Sequence, residues 1–126
     1  TLIALVHGAR PILGIIDQPI LGERWLGAAG HKTTLHQSRL DPALVEAKTR
    51  SCSELGLASL FATTFDRFNA DETKRFQALV GRVRINRMAG DCYAYAMLAS
   101  GYADLVVDAV MQTYDFAALA PVIEGL

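Results

Sequence analysis

The sequence has 126 residues, 52% of them hydrophobic, and its 12 Lys and Arg nearly balance its 13 Asp and Glu, giving a formal net charge of −1. This balance, with Lys and Arg scattered among Asp and Glu, argues against sequence-independent binding of nucleic acid, which requires a basic stripe. No apolar run approaches the ~20 residues of a membrane-spanning helix. We therefore expect one compact domain, or part of one, with neither nucleic acid nor a membrane as its partner.

The first part of the chain has the pattern of an antiparallel strand meander. Short apolar runs at residues 2–6, 12–16 and 23–27 are separated by Gly and Pro residues, which end strands and form turns. A further short strand is predicted at 32–35. A turn of helix is predicted at 42–49.

The second half of the chain alternates between strand-like and helical patterns. The apolar run 57–62 predicts a buried strand, the spacing within 71–83 predicts a helix, and the alternation within 83–88 predicts a second strand. This order is a β-α-β unit. A helix at 91–100 and a strand at 103–107 are predicted to follow it.

Together these elements predict a mixed α/β fold, in which a strand meander precedes a β-α-β unit with a partly parallel sheet. We expect a single incomplete domain over residues 1–126. Its strand-rich part would cover 1–56, and a β-α-β subdomain would cover 57–126.

Asp115 opens the last predicted helix, and two roles are open for it. Its carboxylate can cap the helix by accepting a free amide hydrogen of the first turn. It can instead point into a cleft and bind a hard divalent cation, for which carboxylate oxygen is the preferred ligand. Pro121, inside this helix, has no amide hydrogen and predicts a break near Ala117.

Two more carboxylates come directly after predicted strands. Asp91 follows the second strand of the β-α-β unit, with Gly90 before it, and Asp108 follows the last strand. Ligands of open α/β sheets bind beyond the carboxyl ends of the strands, so both could approach one site with Asp115. Gly90 permits a ligand to approach the backbone, and a helix start attracts phosphate, although a helix cap also explains the Gly-Asp pair.

Other catalytic groups have little support. His7, His31 and His36 lie in the strand-rich part without a Cys pair beside them, which argues against a zinc site. Cys92 has no basic neighbour, and the C-x₅-R loop of cysteine phosphatases is absent. Because Cys52 and Cys92 form no disulfide framework, we predict two buried thiols in a protein of the reducing cytoplasm.

Taken together, the motifs resemble the inositol monophosphatase family. That family shows a Trp-Asp or Tyr-Asp pair, a small-residue helix and a Glu-Ala/Gly-Gly ending, matched here at Tyr114, Asp115, Ala117, Ala118, Glu124 and Gly125. The segments 90–95 and 98–101 are similar to the histidinol-phosphatase branch. The segments 14–19 and 22–25 are similar to that branch as well.

The resemblance implies the C-terminal part of a layered αβαβα sugar-phosphatase fold with Mg²⁺ as cofactor. It implies that Asp115 is a metal ligand and that Gly90, Asp91 and Asp108 line the substrate pocket. The two carboxylates of that pocket would face the ammonium or imidazole of histidinol phosphate, a small phosphorylated substrate of histidine biosynthesis. The resemblance also makes a homodimer the expected assembly.

The proximal motifs of the family are absent. These are a Glu followed by Asp-Pro-Ile/Leu-Asp-Gly-Thr, which supply most of the metal ligands, and the segment 41–44 lacks the second Asp. We therefore expect the C-terminal portion of a phosphomonoesterase, inactive by itself and without a catalytic residue of its own. An inositol monophosphatase-like or other small phosphate-ester phosphatase, or a noncatalytic small-molecule-binding domain, are the alternatives.

Overall fold

The computed structural model describes residues 1–37 and 43–126. The chain divides into two compact units, the first made of Thr1–Lys48 with Gln112–Leu126 and the second of Thr49–Met111. No helix in the described ranges has the length and apolar character needed to cross a membrane. The single incomplete domain expected over the whole chain stays a prediction.

The first unit contains a five-stranded antiparallel sheet, in which each strand pairs with the next one along the chain. Its strands are β1 (Leu2–His7), β2 (Arg10–Gln18), β3 (Glu23–Ala28), β4 (Thr34–His36) and β5 (Leu44–Glu46). The predicted meander is therefore confirmed. The turn of helix predicted at 42–49 is wrong where it is described, because β5 pairs with β4 as a strand, while Pro42 lies outside the described residues.

The second unit contains the predicted β-α-β unit. After a 3₁₀ helix at Leu55–Leu57 come β6 (Ser59–Phe61), α1 (Ala70–Val80), β7 (Ile85–Arg87), α2 (Asp91–Ala99) and β8 (Leu105–Val106). The strand β6 lies between β7 and β8 and runs parallel to both. The partly parallel sheet is therefore confirmed, with strands shorter than the predicted ones.

Helix α1 begins where its sequence provides a reciprocal cap. The Asn69 side chain accepts from the backbone N of Asp71 and Glu72 at 3.0 Å each, and the Glu72 carboxylate accepts from the backbone N of Asn69 at 2.9 Å. The helix then places Phe76 in a cluster with Leu60 and Ala62. This cluster is the core that holds α1 against the parallel sheet.

Two short helices, α3 (Thr113–Phe116) and α4 (Leu119–Glu124), return the chain to the first unit. The break predicted near Ala117 is confirmed, because α3 ends at Phe116 and Ala117 is its C-cap. Pro121 is the third residue of α4. Amide hydrogens in a first turn have no partner within the helix, so the missing donor costs little there.

Helix α4 packs directly on β2 and β3. Gly14 and Gly27 make this possible, since a Cβ at Gly14 would overlap the backbone of Ala118 and one at Gly27 the backbone of α4. Around this contact, Ile16 and Trp25 are 1% exposed and Val122 is fully buried. The core of the first unit therefore lies between the sheet and α4.

The prediction of two buried thiols is wrong for Cys52. Cys52 is exposed in a segment without a helix or strand, where its thiol contacts the Glu54 carbonyl oxygen at 3.4 Å. Cys92, in the first turn of α2, is half-buried, and burial raises the pKa of its thiol. Both cysteines are free.

Candidate functional site

Two segments that contain predicted site residues meet at the carboxyl ends of the parallel strands. The backbone N of Thr63, just beyond β6, donates to Asp108 Oδ1 at 2.7 Å. The Thr63 carbonyl oxygen accepts from the backbone N of Ala89 at 3.0 Å, and the Gly90 N donates to the Ala62 carbonyl oxygen at 3.5 Å. Thr63 therefore joins the segment after β7 to the segment after β8.

The Asp108 carboxylate is held at both of its oxygens. Oδ1 accepts from the backbone of Thr63, and Oδ2 accepts from the Tyr95 hydroxyl of α2 at 3.0 Å. Burial raises the pKa of this hydroxyl well above its usual range, and the negative charge of Asp108 raises it further. Tyr95 is therefore a neutral donor at any physiological pH.

The Tyr95 hydroxyl also reaches the segment beyond Asp108. It lies 3.6 Å from the sulfur of Met111. Between Asp108 and Met111, Val110 has φ of 55°, in the left-handed region that a β-branched residue rarely adopts. Tyr95 thus contacts both sides of a strained residue, and such strain persists only where the surroundings hold it.

Helix α2 begins at the pair Gly90 and Asp91. Gly90 is the N-cap residue, and a Cβ there would come within 2.8 Å of the Ala94 Cβ, so close packing by itself requires this glycine. Asp91 has φ of 46°, and its Oδ1 accepts from the backbone N of Cys92 at 2.7 Å. Asp91 is therefore the first residue of α2, and its side chain accepts a hydrogen bond within the first turn. This exposed side chain lies beyond the carboxyl end of β7.

Asp115 is the third residue of α3. The N-cap position that the sequence suggested for it is wrong, because the helix begins two residues earlier and Gln112 is the N-cap. The Asp115 carboxylate instead reaches back, and its Oδ2 accepts from the backbone N of Gln112 at 2.8 Å. The carboxylate is half-buried, and its other oxygen, Oδ1, forms no hydrogen bond or ion pair within residues 1–37 and 43–126.

A magnesium ion needs several oxygen ligands, and the structure supplies them incompletely. Asp115 offers one carboxylate oxygen of the kind that Mg²⁺ prefers. No group of three or more His, Cys, Asp or Glu residues that could hold a metal ion occurs in the described part of the chain. Asp115 lies in the first unit, whereas Gly90, Asp91 and Asp108 lie in the second.

Sequence reasoning missed Thr63 and Tyr95, the two residues that hold Asp108. Thr63 acts through its backbone, which leaves no signal in its side-chain type. Tyr95 lies in an almost wholly apolar helix, where the one available signal is a hydroxyl that needs a partner when it is buried. The pairing of β6 with β8 decides which residues meet, and that pairing was not specified by the sequence pattern.

Comparison with known proteins gives consistent matches over nearly the whole chain. The sequence model described as the inositol monophosphatase family matches residues 1–126. The bifunctional phosphatase IMPL2, chloroplastic, of Arabidopsis thaliana is 45% identical over 125 residues, which are 99% of this chain and 34% of that protein. A histidinol-phosphatase of Chlorobaculum parvum is 29% identical over 119 residues, which are 94% of this chain and 43% of that protein.

A solved inositol monophosphatase from Zymomonas mobilis has the same fold. It superposes with a TM-score of 0.87 at 40% sequence identity, over 98% of this chain and 46% of that one. The predicted fold class is therefore confirmed. The chain spans about a third to a half of the length of the proteins it matches.

Proposed function

This chain belongs to the inositol monophosphatase family, and from that membership we propose that it is a portion of a Mg²⁺-dependent phosphomonoesterase that hydrolyses histidinol phosphate in histidine biosynthesis. Two relatives named as phosphatases, one of them a histidinol-phosphatase, support this reaction class. The observation that carries the substrate choice is the placement of two carboxylates, Asp91 and Asp108, beyond the carboxyl ends of β7 and β8. Substrates of open α/β sheets bind at this edge.

The carboxylates suit a substrate that carries positive charge. Asp108 is half-buried, and within the part of the chain that the structure describes its donors are the Thr63 amide and the Tyr95 hydroxyl, both neutral. A carboxylate has about four lone-pair sites, so Asp108 can accept a further hydrogen bond from an ammonium or imidazolium group. Asp91 would add negative charge at the same edge, and Gly90 would shape the adjoining wall.

Asp115 would contribute one carboxylate oxygen to the metal. When bound, Mg²⁺ supplies a Lewis acid that neutralises phosphate charge and lowers the pKa of a water ligand. The hydrogen bond from the Gln112 amide fixes the orientation of the Asp115 carboxylate, so its second oxygen has a defined direction. The remaining ligands would come from a part of the protein outside this chain, and for that reason we expect the isolated chain to be inactive.

The test is Mg²⁺-dependent phosphate release by the full-length protein that carries this chain. Histidinol phosphate is compared with inositol phosphate, sugar phosphates and 3′-phosphoadenosine compounds. We expect the highest kcat/KM on histidinol phosphate. A clear preference for a neutral ester would favour an inositol monophosphatase-like enzyme, and no release from any ester would favour a noncatalytic binding domain.

We also propose that the full-length protein is located in the cytoplasm. Both cysteines are free thiols, which suits a reducing compartment. Fractionation of the producing cells, with detection of the full-length protein, would test this location. A homodimer is also proposed, and sedimentation of the full-length protein would test it.

A further inference from the structure

The hydroxyl of the half-buried Tyr95 makes two contacts that the ring does not need for packing. The hydroxyl donates to Asp108 Oδ2 at 3.0 Å and lies 3.6 Å from the Met111 sulfur. A phenylalanine would fill the same space without either contact. The hydroxyl therefore acts on the segment that follows β8, where Val110 is strained.

We propose that Tyr95 is a positioning residue, whose hydroxyl fixes the orientation of the Asp108 carboxylate for the cationic group of the substrate. The inference rests on the proposed function, since it assumes that Asp108 meets an ammonium or imidazolium. Thr63 holds one oxygen through its backbone, and Tyr95 holds the other. Two fixed oxygens define the plane of the carboxylate and so the direction of its remaining lone pairs.

Comparison with a second aspartate supports this role. Asp104, directly before β8, likewise accepts a backbone N–H, that of Ser59 in β6, but it pairs with the Arg50 guanidinium as well. Asp108 forms no ion pair with any residue in the ranges 1–37 and 43–126. A half-buried carboxylate held by neutral donors still favours a positive partner, and a cationic substrate would supply one.

The experiment compares Tyr95→Phe with wild type in the full-length protein, on histidinol phosphate and on inositol phosphate. Losing a hydrogen bond to a charged group should raise KM for histidinol phosphate about tenfold, with kcat nearly unchanged. KM for inositol phosphate should stay within about twofold, because that substrate presents no cation to Asp108. Tyr102→Phe is the matched control, since Tyr102 is 70% exposed in the same unit and its substitution should change neither KM.

A double-mutant cycle with Asp108→Asn tests whether Tyr95 affects substrate binding through Asp108 or only stabilises the surrounding structure. If Tyr95 acts through Asp108, Tyr95→Phe should add little to the KM of the Asp108→Asn variant. An equal rise in KM on both substrates, an unchanged KM for histidinol phosphate, or full additivity in the cycle would each overturn the inference. Wild type with no preference for the amine-bearing ester would instead contradict the proposed function, and the inference with it.

Discussion

Asp104 directly precedes β8 and Asp108 lies two residues beyond it, and their carboxylates accept backbone N–H groups of Ser59, in β6, and of Thr63, two residues beyond β6. Asp104 Oδ2 accepts from the backbone N of Ser59 and Asp108 Oδ1 from that of Thr63, both at 2.7 Å. The strands are parallel, with Leu60 opposite Leu105, so the four-residue spacing is the same on both sides. The strand β8 itself has two residues, Leu105 and Val106. The hydrogen bonds of the two carboxylates therefore extend its backbone pairing with β6.

We expect Asp104→Asn to destabilise the protein, and more at neutral than at acidic pH. The side chain of Asp104 is 5% exposed, and its hydrogen bond to Arg50 lowers the pKa of its carboxyl group. Because the folded pKa is lowered, the charge stabilises the fold above the unfolded pKa of about 3.9. This stabilisation is lost as pH falls through the folded value.

The measurement is urea unfolding of the full-length wild type and variant between pH 7 and pH 3. At neutral pH, a weakened hydrogen bond to the Ser59 amide should cost about 1–2 kcal/mol. Glu46→Gln is the control, because the Lys32 and Glu46 pair is exposed at 3.7 Å and should matter little. A difference between wild type and Asp104→Asn that does not shrink below pH 4 would contradict this account.

The sequence predicted the helices and strands better than it predicted which residues come together at the candidate site. Alternating apolar runs in β1 to β3 and helical spacing in α1 are local properties, so they could be read directly. The start of α3 could not be predicted in this way, because Gln112 rather than Asp115 is the N-cap residue. The joining of Thr63 to Asp108 depends on parallel pairing across 45 residues of chain, which no local pattern specifies.

Asp115→Asn should weaken Mg²⁺ binding while leaving α3 intact. The Asn side chain keeps an oxygen that can accept from the Gln112 amide, so the substitution removes charge and spares the helix. Because ligand charge sets the affinity of such sites, we expect about a tenfold higher apparent Kd for Mg²⁺. Calorimetric titration of the full-length protein with Mg²⁺ alone measures this without relying on activity.

Asp66→Asn is the matched control for that experiment, since Asp66 is exposed in a loop of the second unit. It should leave Mg²⁺ affinity unchanged. Equal affinities in wild type and Asp115→Asn would show that Asp115 does no more than stabilise the start of α3.

Asp108→Asn should raise KM for amine-bearing substrates about tenfold, because one charged hydrogen bond to the substrate is lost. The backbone N of Thr63 can still donate to the Asn oxygen, so the edge of the sheet should remain in place. Steady-state kinetics on histidinol phosphate and on a neutral sugar phosphate provide the comparison. An equal loss on both esters would argue against an Asp108 contact with the cation.

Gly14→Ala should be among the most damaging single substitutions in the first unit. A Cβ at Gly14 would overlap the carbonyl group of Ala118, a backbone atom that cannot rotate away as a side chain can. Forcing extra volume into a packed contact costs about 1–3 kcal/mol or more, and here α4 would have to lift from β2. Gly56→Ala is the control, since a Cβ there meets nothing within 4 Å. Thermal unfolding of the full-length variants should therefore show a lowered Tm for Gly14→Ala and an unchanged Tm for Gly56→Ala, and equal Tm values would mean that α4 does not rest on Gly14.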